Sequence, residues 1–207
     1  MEYRKFHTGP LAVNTYLVYD ETKEAFIVDP GGFSEKLCEL AEEKGLHVGY
    51  ILLTHGHGDH IGGIEAFRER YPDIQVVANI VEKEFLMNPT KNSSVLINGK
   101  PITVKCDRYV EDGETMRIGN MEIRFLLTPG HTPGGQAIVV GNVCFPGDTL
   151  FHGSIGRTDF PGGSYEEILK SLHDVLFLLP EDTVVEPGHM DGTTIGFEKR
   201  HNPFARM

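Results

Sequence analysis

Six consecutive positions, His55-Gly56-His57-Gly58-Asp59-His60, place three imidazoles and one carboxylate in a single short stretch. Imidazole nitrogen and carboxylate oxygen are the usual protein ligands of divalent cations when cysteine is absent. The spacing differs from the His-x-x-x-His pair that puts two ligands on one helix face. Residues 55, 57 and 59 share one side only in an extended or looped backbone. Both intervening residues are glycine, which removes bulk and permits positive φ, so a tight metal-binding loop is expected. The chain has ten histidines, and three of them within six positions is not surface decoration.

Three later positions repeat one local design. His131 sits in Thr128-Pro129-Gly130-His131-Thr132, Asp148 in Pro146-Gly147-Asp148-Thr149, and His189 in Pro187-Gly188-His189. Each is a single polar ligand beside glycine at the end of an apolar run. In α/β sheets, ligands gather just outside the carboxyl ends of strands. The six-residue motif itself follows the apolar run 48–53.

The remaining pattern supplies the elements that must carry these loops. Strand signals fall at 15–19 and 25–28, around the polar turn 20–23. Ser34 reads as an N-cap and Gly45 as the end of a helix. The run 48–53 is a buried strand. Ile61, Ile64, Ala66 and Phe67 begin a helix that stops before Pro72. Another strand is expected at 74–78, a short helix within 79–87, and a long polar loop over 88–101. A meander then begins with Arg108–Val110, Thr115–Ile118 and Met121–Leu127, turning at Asp112-Gly113 and Gly119-Asn120. Gln136–Val140 and Val143–Phe145 flank the turn Gly141-Asn142. One amphipathic helix is predicted over 164–179, with Tyr165, Ile168, Leu169, Leu172, Val175, Leu176 and Leu179 on its apolar face. The last strand is Val184–Val185. An order of strands, helix, strand, ligand loop and helix occurs about twice, as in two α/β halves with packed sheets and outer helices. No linker divides the 207 residues, so one domain over 1–207 is expected.

Composition narrows the partners. The formal net charge of −11 disfavours nucleic acid and anionic membrane as general partners. Cys38, Cys106 and Cys144 are widely spaced without a CxxC pair, so no disulfide framework is expected. The N-terminal stretch lacks the apolar core of a signal peptide, and no run approaches the length of a spanning helix. A cytoplasmic protein acting on a small molecule is the expectation; the oligomeric state stays open.

The motifs together resemble the metallo-β-lactamase-fold superfamily, and within it the short, single-domain bacterial hydrolases similar to glyoxalase II. The likeness rests on Val28-Asp29-Pro30-Gly31, the six-residue motif, the 128–135 run TPGHTPGG, GDTLF at 147–151, GSIGRTDFPGG at 153–163 and TTIGFEKRHNPF at 193–204. It implies an α/β fold, an αββα four-layer sandwich of two packed mixed sheets with outer helices. It implies a first metal held by His55, His57 and His131, a second by Asp59, His60 and His189, and Asp148 bridging both. It also implies that Asp29 orients a ligand from behind and that Arg157 binds the thiol part of a glutathione thioester. Zinc suits such ligands, and iron and manganese are compatible with them. Two cations with a hydroxide between them would hydrolyse a thioester without a strong general acid, with Asp59 orienting the hydroxide.

The same resemblance carries an alternative. A mononuclear iron persulfide dioxygenase would use only His55, His131 and Asp148. β-Lactamases of the superfamily have Cys or Ser where Asp148 stands. Flavin-linked diiron reductases have Glu where His57 stands. A purely structural metal site would be rich in cysteine. Longer glyoxalase II proteins carry a further C-terminal helical region that adds substrate contacts, and this sequence stops at Met207.

Overall fold

The computed structural model describes residues 1–206. β1 (Glu2–Thr8), β2 (Val13–Tyr19) and β3 (Glu24–Val28) form an antiparallel meander. α1 (Glu35–Lys44) then crosses to β4 (His47–Leu52), parallel to β3. Ser34 caps α1 by accepting from the Leu37 N–H, and Gly45 ends it in the left-handed region at φ 63°. α2 (Gly58–Ile61) and α3 (Ile64–Arg70) lead to β5 (Gln75–Asn79). A 3₁₀ turn (Ile80–Glu82), α4 (Lys83–Leu86) and α5 (Ser94–Asn98) precede β6 (Arg108–Val110). The first sheet runs β1-β2-β3-β4-β5-β6, with β3 to β6 parallel.

The second sheet is built from β7 (Thr115–Ile118), β8 (Met121–Leu127), β9 (Gln136–Val140) and β10 (Val143–Phe145). A small hairpin of β11 (Leu150–Phe151) and β12 (Ser154–Ile155) follows, then α6 (Tyr165–Lys170). β13 (Val184–Val185) joins parallel to β10, and β14 (Thr193–Thr194) and α7 (Ile195–His201) close the chain. The order is β14-β13-β10-β9-β8-β7.

Period-two alternation decides which core each side chain enters. Tyr16 and Val18 of β2 face the second sheet, where they meet Phe125, Ile138, Val140 and Phe145. Leu17 and Tyr19, the alternate residues, face α1 and α3 with Leu37, Ala41 and Phe67. On the second sheet, Ala137 and Val139 turn outward to Ile168, Leu172 and Leu176. Three apolar layers therefore separate helix, sheet, sheet and helix, the four-layer αββα arrangement expected. Each fully buried Leu, Ile or Phe in these layers contributes roughly 1.5–3 kcal/mol. The cysteines are buried and unpaired. Among the described residues no helix is long and apolar enough to cross a membrane.

Several elements differ from the sequence expectation. β6 does not open the meander; it pairs in parallel with β5 and completes the first sheet. Its short alternation carried no sign of which sheet it joins. The polar stretch 88–101 contains α5, and just before that helix Asn92 O accepts from the Gly58 N–H at 2.8 Å, so this segment covers the ligand motif. The 164–179 helix is broken. After α6 comes a wide π turn (Ser171–Val175) and a 3₁₀ turn (Leu176–Leu178), and Tyr165 is exposed. Within the wide turn the Ser171 hydroxyl donates to Pro129 O at 2.7 Å, which ties the helix to the His131 loop.

Candidate metal centre

The ends of β4, β8, β10 and β13 deliver all seven expected ligands to one place. His55 and His57 follow β4, with His57 in extended backbone. Asp59 and His60 instead lie in α2, so half of the motif is a helical turn rather than the open loop expected. Neither Gly56 nor Gly58 has positive φ. Both are required by space: a Cβ on Gly58 would lie 2.4 Å from Asn98 Oδ1, and one on Gly56 would lie 2.8 Å from Leu86 Cδ2.

Glycine before each lone ligand has a related cause. A Cβ on Gly188 would fall 2.3 Å from Asp148 Oδ1, and one on Gly147 (φ 55°) would fall 2.3 Å from Thr54 Oγ1. The ligand loops approach closer than any side chain allows.

Two sets of ligand atoms converge. His55, His57 and His131 form one, with His57 Nδ1 and His131 Nε2 at 2.9 Å. Asp59, His60 and His189 form the other, with His189 Nε2 at 3.1 Å and His60 Nε2 at 3.7 Å from Asp59 Oδ2. Asp148 stands between them. Its Oδ2 lies 3.6 Å from His131 Nε2 and 3.6 Å from His189 Nε2, and its Oδ1 lies 3.5 Å from His60 Nε2. Donors around one tetrahedral zinc sit about 3.4 Å apart, given bonds of about 2.0–2.1 Å. These separations match that spacing.

Hydrogen-bond partners dictate where the imidazole protons reside. The Thr54 hydroxyl donates to Asp29 Oδ2 at 2.5 Å, so Thr54 Oγ1 accepts from His55 Nδ1 at 3.0 Å. His60 Nδ1 donates to Asp29 Oδ2 at 2.9 Å. His131 Nδ1 donates to the carbonyl of Arg157 at 2.7 Å. Lone pairs of all three Nε2 atoms are then turned to the centre. Nε2 of His55 and His60 and Oδ1 of Asp148 are buried there without a hydrogen-bond partner. Leaving a buried polar atom unpaired costs roughly 1–3 kcal/mol. Divalent cations would satisfy the whole set at once, so the residues fit the group. Asp29 also clusters with His55 and His60. Its oxygens are taken by the Thr54 N–H (2.8 Å), the Thr54 hydroxyl and His60, which places it behind the ligands.

The electrostatics agree with this arrangement. Burial, reinforced by the neighbouring imidazoles, pushes His55 well below its usual range. Burial and His131 bring His57 down to about 3. Burial also lowers His131. Burial would raise Asp148, but His60, His131 and His189 outweigh it and hold the carboxyl below the usual range. Asp59 is lowered in the same way, burial opposing and His60 and His189 prevailing. Burial pulls His60 down, yet Asp148, Asp59 and Asp29 together carry it well above the usual range. A cation would meet the same carboxylates with His60 unprotonated.

The metallo-beta-lactamase superfamily model matches residues 8–189, which include every ligand described. The chain belongs to the metallo-β-lactamase superfamily. Superfamily members are mostly metal-dependent hydrolases. A probable metallo-hydrolase of Bacillus subtilis, YqgX, is 39% identical over 99% of the chain and 97% of its own length. The hydroxyacylglutathione hydrolase GloC of Haemophilus influenzae is 36% identical over 92% of each. Among solved structures, the BLEG-1 B3 metallo-beta-lactamase superposes with a TM-score of 0.92 at 38% identity, covering 100% of both chains. TTHA1623 in a di-iron-bound form gives 0.84 at 36%, over 97% and 99% of the two chains. ETHE1 from Myxococcus xanthus gives 0.78 at 32%, over 100% of this chain and 85% of its own.

Arg157 is exposed. It pairs with Asp159 through two hydrogen bonds of 2.9 and 2.7 Å, and it lies 4.3 Å over the Phe160 ring. Phe160 in turn packs edge-on to His57, with ring centroids 5.4 Å apart. Thr54, Glu82 and Asn14 also support this superfamily site and escaped the sequence reading. Asn14 left one signal, an amide side chain inside the fully buried strand β2.

Proposed function

We propose that the chain is a dinuclear metal-dependent hydrolase of small thioesters of the hydroxyacylglutathione type. The observation that carries it is the Asp148 carboxylate, placed 3.6 Å from a ligand of each set, where one side chain can serve two cations. GloC, a relative covering nearly the whole chain, supports the substrate class. Seven ligands without cysteine suit zinc, with iron and manganese compatible.

Two divalent cations supply a water that ionises near neutral pH and an electrophile for the carbonyl oxygen. The chain does the rest. His55, His57 and His131 hold one side, and Asp59, His60 and His189 the other. Asp29 and Thr54 keep the protons of His60 and His55 on Nδ1, away from the centre. Asp59 Oδ2 lies 3.1 Å from Nε2 of His189, the most exposed of the seven side chains, a place from which it would orient a water. A thiolate leaves without obligatory protonation, so no general acid is required. Arg157 is exposed over Phe160, on the side of His57 and His131, where its guanidinium can meet an anionic thiol portion.

A second reading has one specific support, the likeness to ETHE1. It is the mononuclear iron oxygenase acting on a persulfide, using His55, His131 and Asp148. The test sets three substrates side by side: S-lactoylglutathione, glutathione persulfide with oxygen uptake followed, and a β-lactam, because BLEG-1 is described as a metallo-beta-lactamase. Thioester hydrolysis far above the other two supports the proposal. Oxygen uptake or β-lactam opening as the dominant activity overturns it.

A further inference from the structure

We infer that the two metal positions are fastened separately by two buried residues outside the ligand motifs. Glu82 ties together the loops carrying His55, His57 and His131, and Asn14 holds the loop carrying His189. The inference rests on the metal-centre reading above.

Glu82 ends the 3₁₀ turn after β5 and is fully buried. Its Oε1 accepts from the Gly56 N–H at 2.9 Å, and its Oε2 accepts from the Gly134 N–H at 2.8 Å. Gly56 lies between His55 and His57; Gly134 lies three residues after His131. One carboxylate thus bonds a ligand loop from each half of the fold. Burial pushes the Glu82 carboxyl up to about 7, and the Gly56 and Gly134 N–H groups oppose that rise. Gly134 is part of the device, because a Cβ there would lie 2.6 Å from Glu82 Oε2 and 2.4 Å from Glu82 N. The close approach of His57 Nδ1 to His131 Nε2 depends on these two loops keeping register.

Asn14 acts on the other set. Its backbone N–H donates to Gly188 O at 2.8 Å. Its Nδ2 donates to Pro187 O at 2.9 Å and to Met190 O at 2.8 Å. The three bonds bracket His189 on both sides. Met190 sits at φ 67°, unfavourable for a residue with a Cβ, and its carbonyl is pinned by Asn14. His189 needs such a hold, since its side chain is the most exposed of the ligands. Neither Glu82 nor Asn14 hydrogen-bonds a ligand side chain, so both are positioning residues.

Cobalt(II) is titrated into metal-free wild type, Glu82→Gln and Asn14→Ala, and the shifted imidazole N–H signals are followed by proton NMR. His57→Ala and His189→Ala assign the signals to the two positions. Glu82→Gln keeps the shape but can accept at only one atom. It should weaken the His55/His57/His131 position by about 10-fold, the scale of one lost hydrogen bond to a buried acceptor, and leave the other nearly unchanged. Asn14→Ala should show the reverse selectivity. Equal weakening of both positions, or wild-type affinity in both variants, overturns the assignment. Wild type that takes up no cobalt would instead sink the metal-centre reading. Should Glu82→Gln not fold, the wild type decides. Its Gly56 and Gly134 amide protons must be shifted downfield and exchange slowly, and freely exchanging ones overturn the role.

Discussion

Asp29 Oδ2 lies 2.9 Å from His60 Nδ1, and the aspartate that makes this contact is held at φ 48°. Left-handed backbone is tolerated by Asp and Asn better than by other residues with a Cβ. The carboxylate also takes both donors of Thr54, so it sets the proton of His60 directly and that of His55 through the threonine hydroxyl. Asp29→Ala should weaken zinc binding by about 10–100-fold, and Asp29→Asn, which keeps the backbone and one acceptor, by less. Chelator competition measures both, and equal affinity in all three proteins would contradict the role.

Asp148→Ala removes the atom shared by the two ligand sets. Bound metal should fall below two per chain, and thioester hydrolysis should drop by at least about a hundredfold, the scale of losing one charge-stabilising group. Elemental analysis and initial rates check this together. Full activity with unchanged metal would contradict a bridging carboxylate.

Acid should destabilise the metal-free chain through its buried neutral imidazoles. His57 is held down at about 3 in the fold, whereas the unfolded chain titrates near the ordinary histidine value of about 6.5. Between those values the unfolded state binds a proton that the folded state refuses. Stability therefore falls as pH drops through 6.5 and would be restored on raising it. By pH 5 this one residue costs about 2 kcal/mol. Urea unfolding at pH 7.5 and 5 should show a smaller difference in His57→Gln by that amount; an unchanged difference would contradict it.

Gly130→Ala tests how the His131 loop meets the second sheet's helix. Gly130 has φ 126°, and a Cβ there would lie 2.2 Å from Ile168 N. Backbone strain alone costs about 1–3 kcal/mol, and displacing α6 adds to it. A melting temperature lowered by several degrees is expected, together with looser metal binding at His131. A wild-type melting curve would contradict the close packing.

Arg157→Ala should raise KM for a glutathione thioester severalfold and leave kcat nearly unchanged, because the guanidinium is exposed over Phe160 and is not among the seven converging side chains. An unchanged KM would leave Arg157 as a partner of Asp159 only.

The seven side chains that converge were legible in the sequence because they stand beside glycine at the ends of apolar runs. The sandwich was legible through the family resemblance and the twice-repeated order of strands and helices; which core Tyr16 and Leu17 each enter was not, because both are apolar. Partner choice was not. The three residues of β6 pair with β5 by a long-range contact that no local pattern announces. α5 is stabilised by covering Gly58 rather than by its own propensity, so its polar flanks read as loop. Glu82 looks like any helix-surface acid until Gly56 and Gly134 close on it. The 164–179 pattern was periodic, but Ser171 bonds Pro129 and widens the helix where periodicity alone predicted regularity.

Seven side chains delivered by the ends of four strands should cage two cations that the hydrolysis requires. Metal content per chain, measured alongside S-lactoylglutathione hydrolysis during chelation and reconstitution, tests it most directly. Two equivalents, with activity lost and recovered in step with them, is the predicted result. A single iron per chain, or hydrolysis that survives complete metal removal, would contradict it.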